Sequence, residues 1–249
     1  MTTYDAIVLG AGAAGLFCAA TAGQRGKRVL LLDHNDEPGR KILISGGGRC
    51  NFTNLHTAPD RYLSTNPHFA KSALSRYGPR DFLSLVEAYG IAWHEKTLGQ
   101  LFCDGSARQI VAMLVDECAK GSVDIRYGAA AGEVEHRDGR FHLAGASAPA
   151  LVIATGGPSI PKLGASSYAY ELARRFGLKV VQPRPALVPL TLAGEDVLFR
   201  ELSGVSAEVV AKCGKAAFRE AALFTHRGLS GPAILQVSSY WQRGEDVRI

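Results

Sequence analysis

The sequence lacks any long hydrophobic run. Its first apolar stretch, Ala6 to Leu9, is too short for the core of a secretion signal and far too short to cross a bilayer. We therefore expect a cytoplasmic protein with no membrane partner. Internal repeats and low-complexity tracts are also missing, and 249 residues with 47% hydrophobic and 20% charged side chains suit an ordinary globular chain of one large or two modest domains.

Closely spaced metal ligands and thiols are missing too. The five cysteines form no CxxC pair, and the seven histidines show no spacing typical of metal ligands. We therefore expect no metal and no disulfide framework, with the thiols reduced as is usual in the cytosol. The cysteines are Cys18, Cys50, Cys103, Cys118 and Cys213.

The sequence has fewer acidic than basic residues. The 28 Lys and Arg residues outnumber the 23 Asp and Glu residues, which gives a net charge of +5 and a sequence pI near 9.0. This excess suits an anionic cofactor, an anionic substrate or RNA, and it does not decide among them. The sequence has no aromatic and basic stacking motif such as an RNA recognition motif, so the charge favours RNA only slightly.

A strand, a glycine-rich turn, a helix and a second strand are predicted at the start of the chain. Asp5 to Leu9 is apolar and branched like a strand buried in a parallel sheet, Leu16 to Arg25 favours helix, and Arg28 to Leu32 favours strand. The turn between them, Gly10-Ala11-Gly12-Ala13-Ala14-Gly15, matches the dinucleotide-binding pattern GxGxxG. In that pattern the first glycine makes the turn, the second admits a diphosphate, and the third allows close packing of helix on strand.

An acidic residue follows the second strand. Asp33 stands where a carboxylate can accept hydrogen bonds from the hydroxyls of an adenosine ribose, and it would repel a ribose 2′-phosphate. His34, directly after it, is included in the predicted cofactor site. The alternative is that the three glycines only form a strand-to-helix turn and that Asp33 is a surface acid.

A second glycine-rich segment starts soon after Asp33, where a simple NAD fold usually continues with a helix. Its three successive glycines leave backbone amides open to an anion or a flat ring, and its neighbouring side chains supply positive charge and an amide. This segment favours FAD over NAD, and a flexible basic loop is the alternative. Its predicted cofactor-binding residues are Arg40, Lys41, Ser45, Gly46, Gly47, Gly48, Arg49, Cys50 and Asn51.

The rest of the chain predicts further elements of an α/β fold. Helices are expected to begin at Pro67, at Pro79 and after Ser106, and a β-hairpin is expected over Val134 to Leu143 with its turn at Asp138-Gly139. A buried strand, Leu151 to Ala154, and a helix, Tyr168 to Phe176, follow. After a proline cluster the pattern changes near residue 189, where we expect a second domain.

With these segments the sequence resembles the BaiN/YhiN-like flavoproteins, which are NAD(P)/FAD-dependent oxidoreductases with dinucleotide-binding domains. The likeness covers essentially the whole chain. Its motifs are GAGAAG at Gly10 to Gly15, GRKILISGGGRCNFTN at Gly39 to Asn54, ATGGPSIPKLGA at Ala154 to Ala165 and FTHRGLSGPAILQ at Phe224 to Gln236.

The resemblance implies a Rossmann-like FAD-binding domain over residues 1–188, interrupted by a β-rich domain that begins within residues 189–249. It implies that Arg40, Lys41 and Ser45 to Asn51 lie along the path to the flavin ring and that Val134 contacts adenine through its backbone. Thr155, Gly156 and Gly157 are expected beside the ribityl and diphosphate groups. Family members are commonly much longer, so we expect this chain to be a fragment that binds FAD weakly or not at all when isolated.

The implied activity is a two-electron reduction of a conjugated double bond in a small molecule or in a uridine of ribosomal RNA, with FAD as cofactor and NADH or NADPH as possible donor. A non-catalytic dinucleotide-binding scaffold and a simple NAD-dependent dehydrogenase are the alternatives. No catalytic residue is identified. For Cys50 the alternatives are a redox or acid group and a small packed side chain. For His226 and Arg227 the alternatives are contact with a substrate and a place on a surface loop. The loop from Gly164 to Tyr170 departs from the family pattern, which leaves its contacts open.

Overall fold

The computed structural model describes residues 1–192 and 201–249. These residues form two compact units, Met1–Lys179 and Val180–Ile249. The predicted domain boundary after residue 188 falls inside the second unit and stays a prediction. Among the described residues, no helix is long and apolar enough to cross a bilayer. The cytoplasmic location also stays a prediction.

A parallel four-stranded sheet forms the centre of the first unit. Its strands are β2 (Ala6–Leu9), β3 (Val29–Leu32), β7 (Asp124–Arg126) and β11 (Ala150–Ile153), arranged in the order β11-β2-β3-β7. Ala6 lies opposite both Val29 and Ala150 in the register. Because all four strands run in the same direction, their carboxyl ends meet at one edge, which is where ligands bind in open sheets of this kind.

Helices cover one face of this sheet. They include α1 (Ala13–Gln24), α2 (Arg40–Ile44), α4 (Pro79–Ala88) and α5 (Ala107–Lys120), of which α1 and α5 supply most of the core on that face. The short helix α3 (Lys71–Arg76) precedes α4 in the chain. Val8, Leu16, Leu31 and Leu114 are almost fully buried there. The predicted cap of α5 is confirmed, because the Ser106 hydroxyl accepts a hydrogen bond from the Arg108 amide at 3.2 Å.

A second sheet and the helix α6 (Tyr168–Arg175) lie against the other face. This sheet contains β1 (Thr2–Thr3), β8 (Glu135–Arg137), β9 (Arg140–Leu143) and β10 (Ala146–Ala148) in the order β1-β10-β9-β8. The predicted hairpin is present, since β8 pairs antiparallel with β9. Its turn residues Asp138 and Gly139 both have positive φ, at 51° and 71°, as the tight turn between twisted strands requires.

A third sheet lies in the middle of the chain, where the sequence predicts only helices, so that prediction is wrong for these residues. The strands β4 (Asn51–Asn54), β5 (Trp93–Glu95) and β6 (Gln100–Cys103) form an antiparallel sheet in the order β4-β6-β5. They are too short to show a clear alternation in sequence. The helix expected from Pro67 begins only at Lys71, because the Asn66 side chain accepts a hydrogen bond from the His68 amide and closes a turn first.

In residues 180–192 and 201–249, the second unit contains a small antiparallel sheet and an α-helix. Its strands are β12 (Leu190–Thr191), β13 (Ser206–Cys213), β14 (Ala216–Thr225) and β15 (Gly228–Ser230), in the order β12-β15-β14-β13. The helix α7 (Pro232–Ser238) covers this sheet and buries Ile234 and Val237 against Ala211 and Ala222.

Candidate functional site

The glycine-rich turn connects β2 to α1 at the carboxyl edge of the parallel sheet. Gly10 has φ of 104°, and a Cβ added to it would lie 2.5 Å from the Ala154 carbonyl oxygen. A Cβ on Gly15 would lie 1.8 Å from the Gly10 carbonyl oxygen, so α1 packs directly on the turn. A Cβ on Gly12 would meet no atom of the described residues within 4 Å. The first and third glycines are therefore required by packing, and the second leaves an open approach to the backbone.

The first turn of α1 has the properties of an anion site. Leu16 donates the first intrahelical hydrogen bond, to the Gly12 carbonyl oxygen at 3.0 Å, so the amides of Ala13, Ala14 and Gly15 have no helical acceptor. In the part of the chain that the structure describes, no side chain caps this end, and the first turn contains no acidic residue. The free amides and the positive end of the helix dipole therefore face the adjacent cavity and favour a diphosphate there.

Asp33 is buried at the end of β3 and holds the turn in place. One carboxylate oxygen accepts a hydrogen bond from the Ala11 amide at 2.6 Å, and the other accepts bonds from the backbone and side-chain nitrogens of Asn35 at 2.8 and 2.9 Å. A carboxylate has about four lone-pair positions, so capacity for a ribose hydroxyl remains. His34 lies beside it, with Nδ1 3.6 Å from the Asp33 carboxylate.

A cavity of about 1340 Å³ extends from this turn. It is larger than the ~300–1,000 Å³ pockets that usually hold small ligands. Many of the predicted cofactor residues line it. These are Gly10, Gly12, Ala13, Ala14, Asp33, His34, Arg40, Lys41, Ser45, Cys50, Asn51, Thr155 and Gly156.

Two hydroxyl groups on the cavity wall, without hydrogen-bond partners among the described residues, indicate whether the site fits a polar cofactor. The Thr155 hydroxyl and the Tyr168 hydroxyl are buried, and neither has a hydrogen-bond partner within residues 1–192 and 201–249. Burial raises the pKa of Tyr168 although Arg175 opposes the shift, so this hydroxyl stays protonated. Buried polar groups without partners are uncommon, and a bound ligand would satisfy both. With the open backbone at Gly12, these residues fit an adenine dinucleotide of the size of FAD.

The second glycine-rich segment contributes only part of its length to the cavity. After α2 the chain forms a tight turn over Ser45–Gly48, in which Gly46, Gly47 and Gly48 have positive φ. A Cβ on Gly46 would lie 2.6 Å from the Phe102 ring, so this glycine allows the turn to pack on β6. Gly46 to Gly48 and Arg49 are not among the cavity-lining residues. Their predicted contact with flavin stays a prediction.

Lys41 connects the second glycine-rich segment to the loop after β11. Its ammonium group donates to the Gly157 carbonyl oxygen at 3.0 Å and to the Ser159 hydroxyl at 3.2 Å. Gly157 itself does not line the cavity, whereas Thr155 and Gly156 do. Lys41 therefore positions the loop that carries the orphaned Thr155 hydroxyl.

The structure places Val134 away from the cavity. Val134 is 1% exposed and belongs to the core under the hairpin, and the cavity is lined instead by residues 129–132. The Ala129 amide donates to the Asp33 carbonyl oxygen at 2.8 Å, which holds these small residues beside the predicted ribose position. The run of three alanines ending at Gly132 is the signal in the sequence that could have indicated them. The adenine contact of Val134 stays a prediction.

Cys50 lies on the cavity wall in a strained conformation. Its φ of 53° is in the left-handed region, and it is 5% exposed. Burial raises the pKa of the Cys50 thiol although a hydrogen bond with Ser45 opposes the shift, and burial with the nearby Cys50 raises the pKa of Cys103 to about 11. Both thiols are therefore neutral near pH 7, which makes Cys50 a poor nucleophile.

Four aromatic rings that the sequence did not indicate form one wall of the cavity. Phe17 packs against Tyr77 with ring centroids 4.9 Å apart and against Phe82 at 6.4 Å, and Phe52 lies 6.1 Å from Phe82. All four rings line the cavity. They come from α1, β4, the start of α4 and the residue after α3, so only the tertiary structure brings them together.

His226 and Arg227 lie in the second unit, in the turn between β14 and β15. Both are exposed, and the Thr225 hydroxyl accepts a hydrogen bond from the Arg227 amide at 3.3 Å and donates to the Gly228 carbonyl oxygen at 3.0 Å. With these two bonds the Thr225 side chain stabilises the tight turn between β14 and β15. The predicted role of the two exposed residues toward a substrate stays a prediction.

Comparison with known proteins identifies the family. The family described as HI0933-like protein Rossmann domain matches residues 4–230. The chain belongs to this family. The predicted BaiN/YhiN-like relationship and the Rossmann-like α/β fold class are thereby confirmed.

Two curated proteins are among those similar to this chain. It is 56% identical over 257 residues to the ribosomal RNA dihydrouridine synthase of Escherichia coli (strain K12), covering 100% of this chain and 64% of that protein. It is 29% identical over 255 residues to the 3-dehydro-bile acid delta(4,6)-reductase of Clostridium scindens, covering 95% of this chain and 60% of that protein. The chain thus spans less than two thirds of the length of these curated relatives.

A solved structure shares the fold. The open conformation of a flavocytochrome c3 fumarate reductase aligns with a TM-score of 0.50 and 18% identity, over 83% of this chain and 47% of that chain. Identity at this level shows a common fold alone.

Proposed function

We propose that this chain forms the FAD-binding part of an oxidoreductase that reduces a carbon–carbon double bond. The observation that carries the proposal is the cavity at the carboxyl edge of the sheet, where the open amides of α1, Asp33 and two orphaned hydroxyls line one continuous space. Its volume suits a full dinucleotide with a ring system better than a small ligand.

Each group of residues has a role in holding this cofactor. The amides of Ala13 and Ala14 would bind the diphosphate, and Asp33 would accept a hydrogen bond from the ribose while it anchors the turn. Thr155 and Tyr168 would bond to the polar groups between the two ends. When bound, FAD supplies two-electron chemistry, with NADH or NADPH as the proposed hydride source.

For the substrate we propose a uridine of RNA. The support is the 56% identity to a protein named ribosomal RNA dihydrouridine synthase, against 29% to the bile acid reductase. Dihydrouridine differs from uridine by one hydride and one proton added across the ring double bond. The net charge of +5 is compatible with a polyanionic substrate.

Three measurements on one preparation of the protein test the proposal. We expect the two visible absorption bands of flavin, loss of these bands when NADH or NADPH is added without oxygen, and dihydrouridine in ribosomal RNA from cells that lack the modification. A protein that stays colourless after incubation with FAD would contradict the cofactor. A flavoprotein that is reduced by the donor and leaves every uridine unchanged would contradict the substrate.

A further inference from the structure

The segment formed by residues 56–80, here called the rim segment, exposes an unusual number of large apolar side chains. Every residue from 60 to 69 is exposed. Phe69 has 74% of its surface exposed, Leu63 has 55% and Tyr62 has 47%. Exposed apolar groups of this size in one short segment indicate a surface that meets a partner.

The rim segment is also positively charged. It contains four cationic residues, Arg61, Lys71, Arg76 and Arg80, and one acidic residue, Asp60. Asp60 lies 3.7 Å from Arg61, and both side chains are mostly exposed, so this ion pair is weak. Within residues 1–192 and 201–249 the structure gives no ion pair to the other three cations. Their charge is therefore available to an anionic partner.

Arg80 stands in a place that is unfavourable for a cation. It occupies the first turn of α4, near the positive end of the helix dipole, and the one carboxylate in that turn, Asp81, accepts a hydrogen bond from the Gly78 amide at 2.7 Å. Asp81 thereby caps the helix. An external anion at Arg80 would be stabilised by the side chain and by the dipole together.

The rim segment continues directly into the cavity. Thr57, Tyr62, Leu74 and Tyr77 belong to the segment and also line the cavity, and the Tyr77 ring packs against Phe17 on its inner wall. A polymer bound along the rim segment would therefore extend into the cavity while it stays in contact with the protein surface.

From this juxtaposition we infer that the rim segment binds single-stranded RNA and guides a target base into the cavity. Cations that meet phosphates and exposed aromatic rings that stack on bases are the two components of single-strand recognition. The inference rests on the proposed function, since it assigns the surface through which that substrate is held.

The test uses the flavin-loaded, oxidised protein and a short fluorescein-labelled RNA strand rich in uridine, with the dissociation constant measured by fluorescence anisotropy at several KCl concentrations. The rim variant is Lys71→Gln/Arg76→Gln/Arg80→Gln. Its matched control is Arg25→Gln/Lys27→Gln/Arg137→Gln, which removes the same charge from exposed positions at the far end of α1 and at the β8–β9 turn.

We expect the rim variant to bind at least about tenfold more weakly and to lose about 2 from the slope of log Kd against log salt, since each single-strand phosphate contact contributes about 0.7. Phe69→Ala should weaken binding at least about fivefold with little change in slope, because it removes stacking and no charge. The control should bind like the wild type. All variants should keep their flavin and its reduction by NADH or NADPH, because the altered residues lie outside the cavity.

An unchanged slope in the rim variant, or an equal loss in the control, would overturn the inference. Displacement of the RNA by an equal charge of poly-glutamate would also overturn it, because the surface would then bind any polyanion. Failure of the proposed function has a different signature: the wild type itself would lack flavin or would form no dihydrouridine. If the rim variant still binds RNA normally and the wild type forms dihydrouridine, the surface is wrong and the proposed function stands.

Discussion

The Asp33 carboxylate accepts a hydrogen bond of 2.6 Å from the Ala11 amide. This bond joins the carboxyl end of β3 to the turn that follows β2, so the same residue shapes the turn and lines the cavity. The role of this acid therefore begins before any ligand is bound.

Replacement of Asp33 should affect folding and cofactor binding together. Asp33→Ala leaves the buried Ala11 amide without an acceptor, so we expect the free energy of unfolding to fall by about 1–3 kcal/mol and FAD to bind at least about tenfold more weakly. Urea unfolding of the FAD-free protein and a flavin fluorescence titration measure the two effects. Asp36→Asn, at an exposed position nearby, is the control and should change neither. Normal stability in Asp33→Ala would contradict the anchoring role.

Alanine substitutions at Gly12 and Gly15 should show which glycine matters for cofactor binding alone and which matters for folding as well. Gly12→Ala adds a methyl group into open space, so the FAD-free protein should melt as the wild type does while FAD affinity falls at least about tenfold, because the methyl group stands where the diphosphate approaches. Gly15→Ala forces a methyl group against the Gly10 carbonyl and should lower the free energy of unfolding by about 1–3 kcal/mol as well. Thermal melting and FAD titration of both variants provide the test. Equal stability losses in the two would show that the turn is packed differently.

Lys41 should matter for the cofactor through the loop that it holds. Lys41→Met removes the donor to the Gly157 carbonyl and the Ser159 hydroxyl, so the loop carrying Thr155 loses its connection to α2. We expect FAD affinity to fall about fivefold or more. Lys27→Met, at an exposed position after α1, serves as the matched control. An FAD titration in which the two variants behave alike would exclude this positioning role.

A cluster at the ends of α1, α4 and α5 should make stability depend on acid pH. Burial alone would raise the pKa of Glu117, but hydrogen bonds from Lys120, Tyr89 and Gln24 outweigh it and lower the pKa to about 2. In the unfolded chain the pKa of a Glu side chain is about 4.3. The stabilisation from ionised Glu117 is therefore complete above that pH and is lost as the pH falls toward 2.

Glu117→Gln removes this ionisation. Urea unfolding at neutral pH should show a less stable variant, and the difference from the wild type should shrink steadily as the pH falls from 5 to about 2. Glu87→Gln, an acid of α4 with an exposed side chain bonded to Trp93, is the comparison. A difference between wild type and Glu117→Gln that does not change with pH would contradict the low pKa.

Local sequence patterns were sufficient for the elements that carry the dinucleotide motif. β2, α1 and β3 lie within a few residues of the predicted ranges, because glycine spacing, helix propensity and apolar runs act over neighbouring residues. The N-terminal cap of α5 at Ser106 and the turn at Asp138-Gly139 were predictable for the same reason. The three short strands of the third sheet were not, since each is stabilised by partners far away in the chain.

The sequence by itself therefore determined the family, the fold class and the glycine-rich turn that opens α1. Only the tertiary structure decided that residues 129–132 rather than Val134 line the cavity, that Asp33 anchors the turn, and that four distant aromatic rings form one wall. The physical reason is that such contacts join segments up to a hundred residues apart, and their geometry depends on how the sheet and helices pack. No local preference of either partner encodes that geometry.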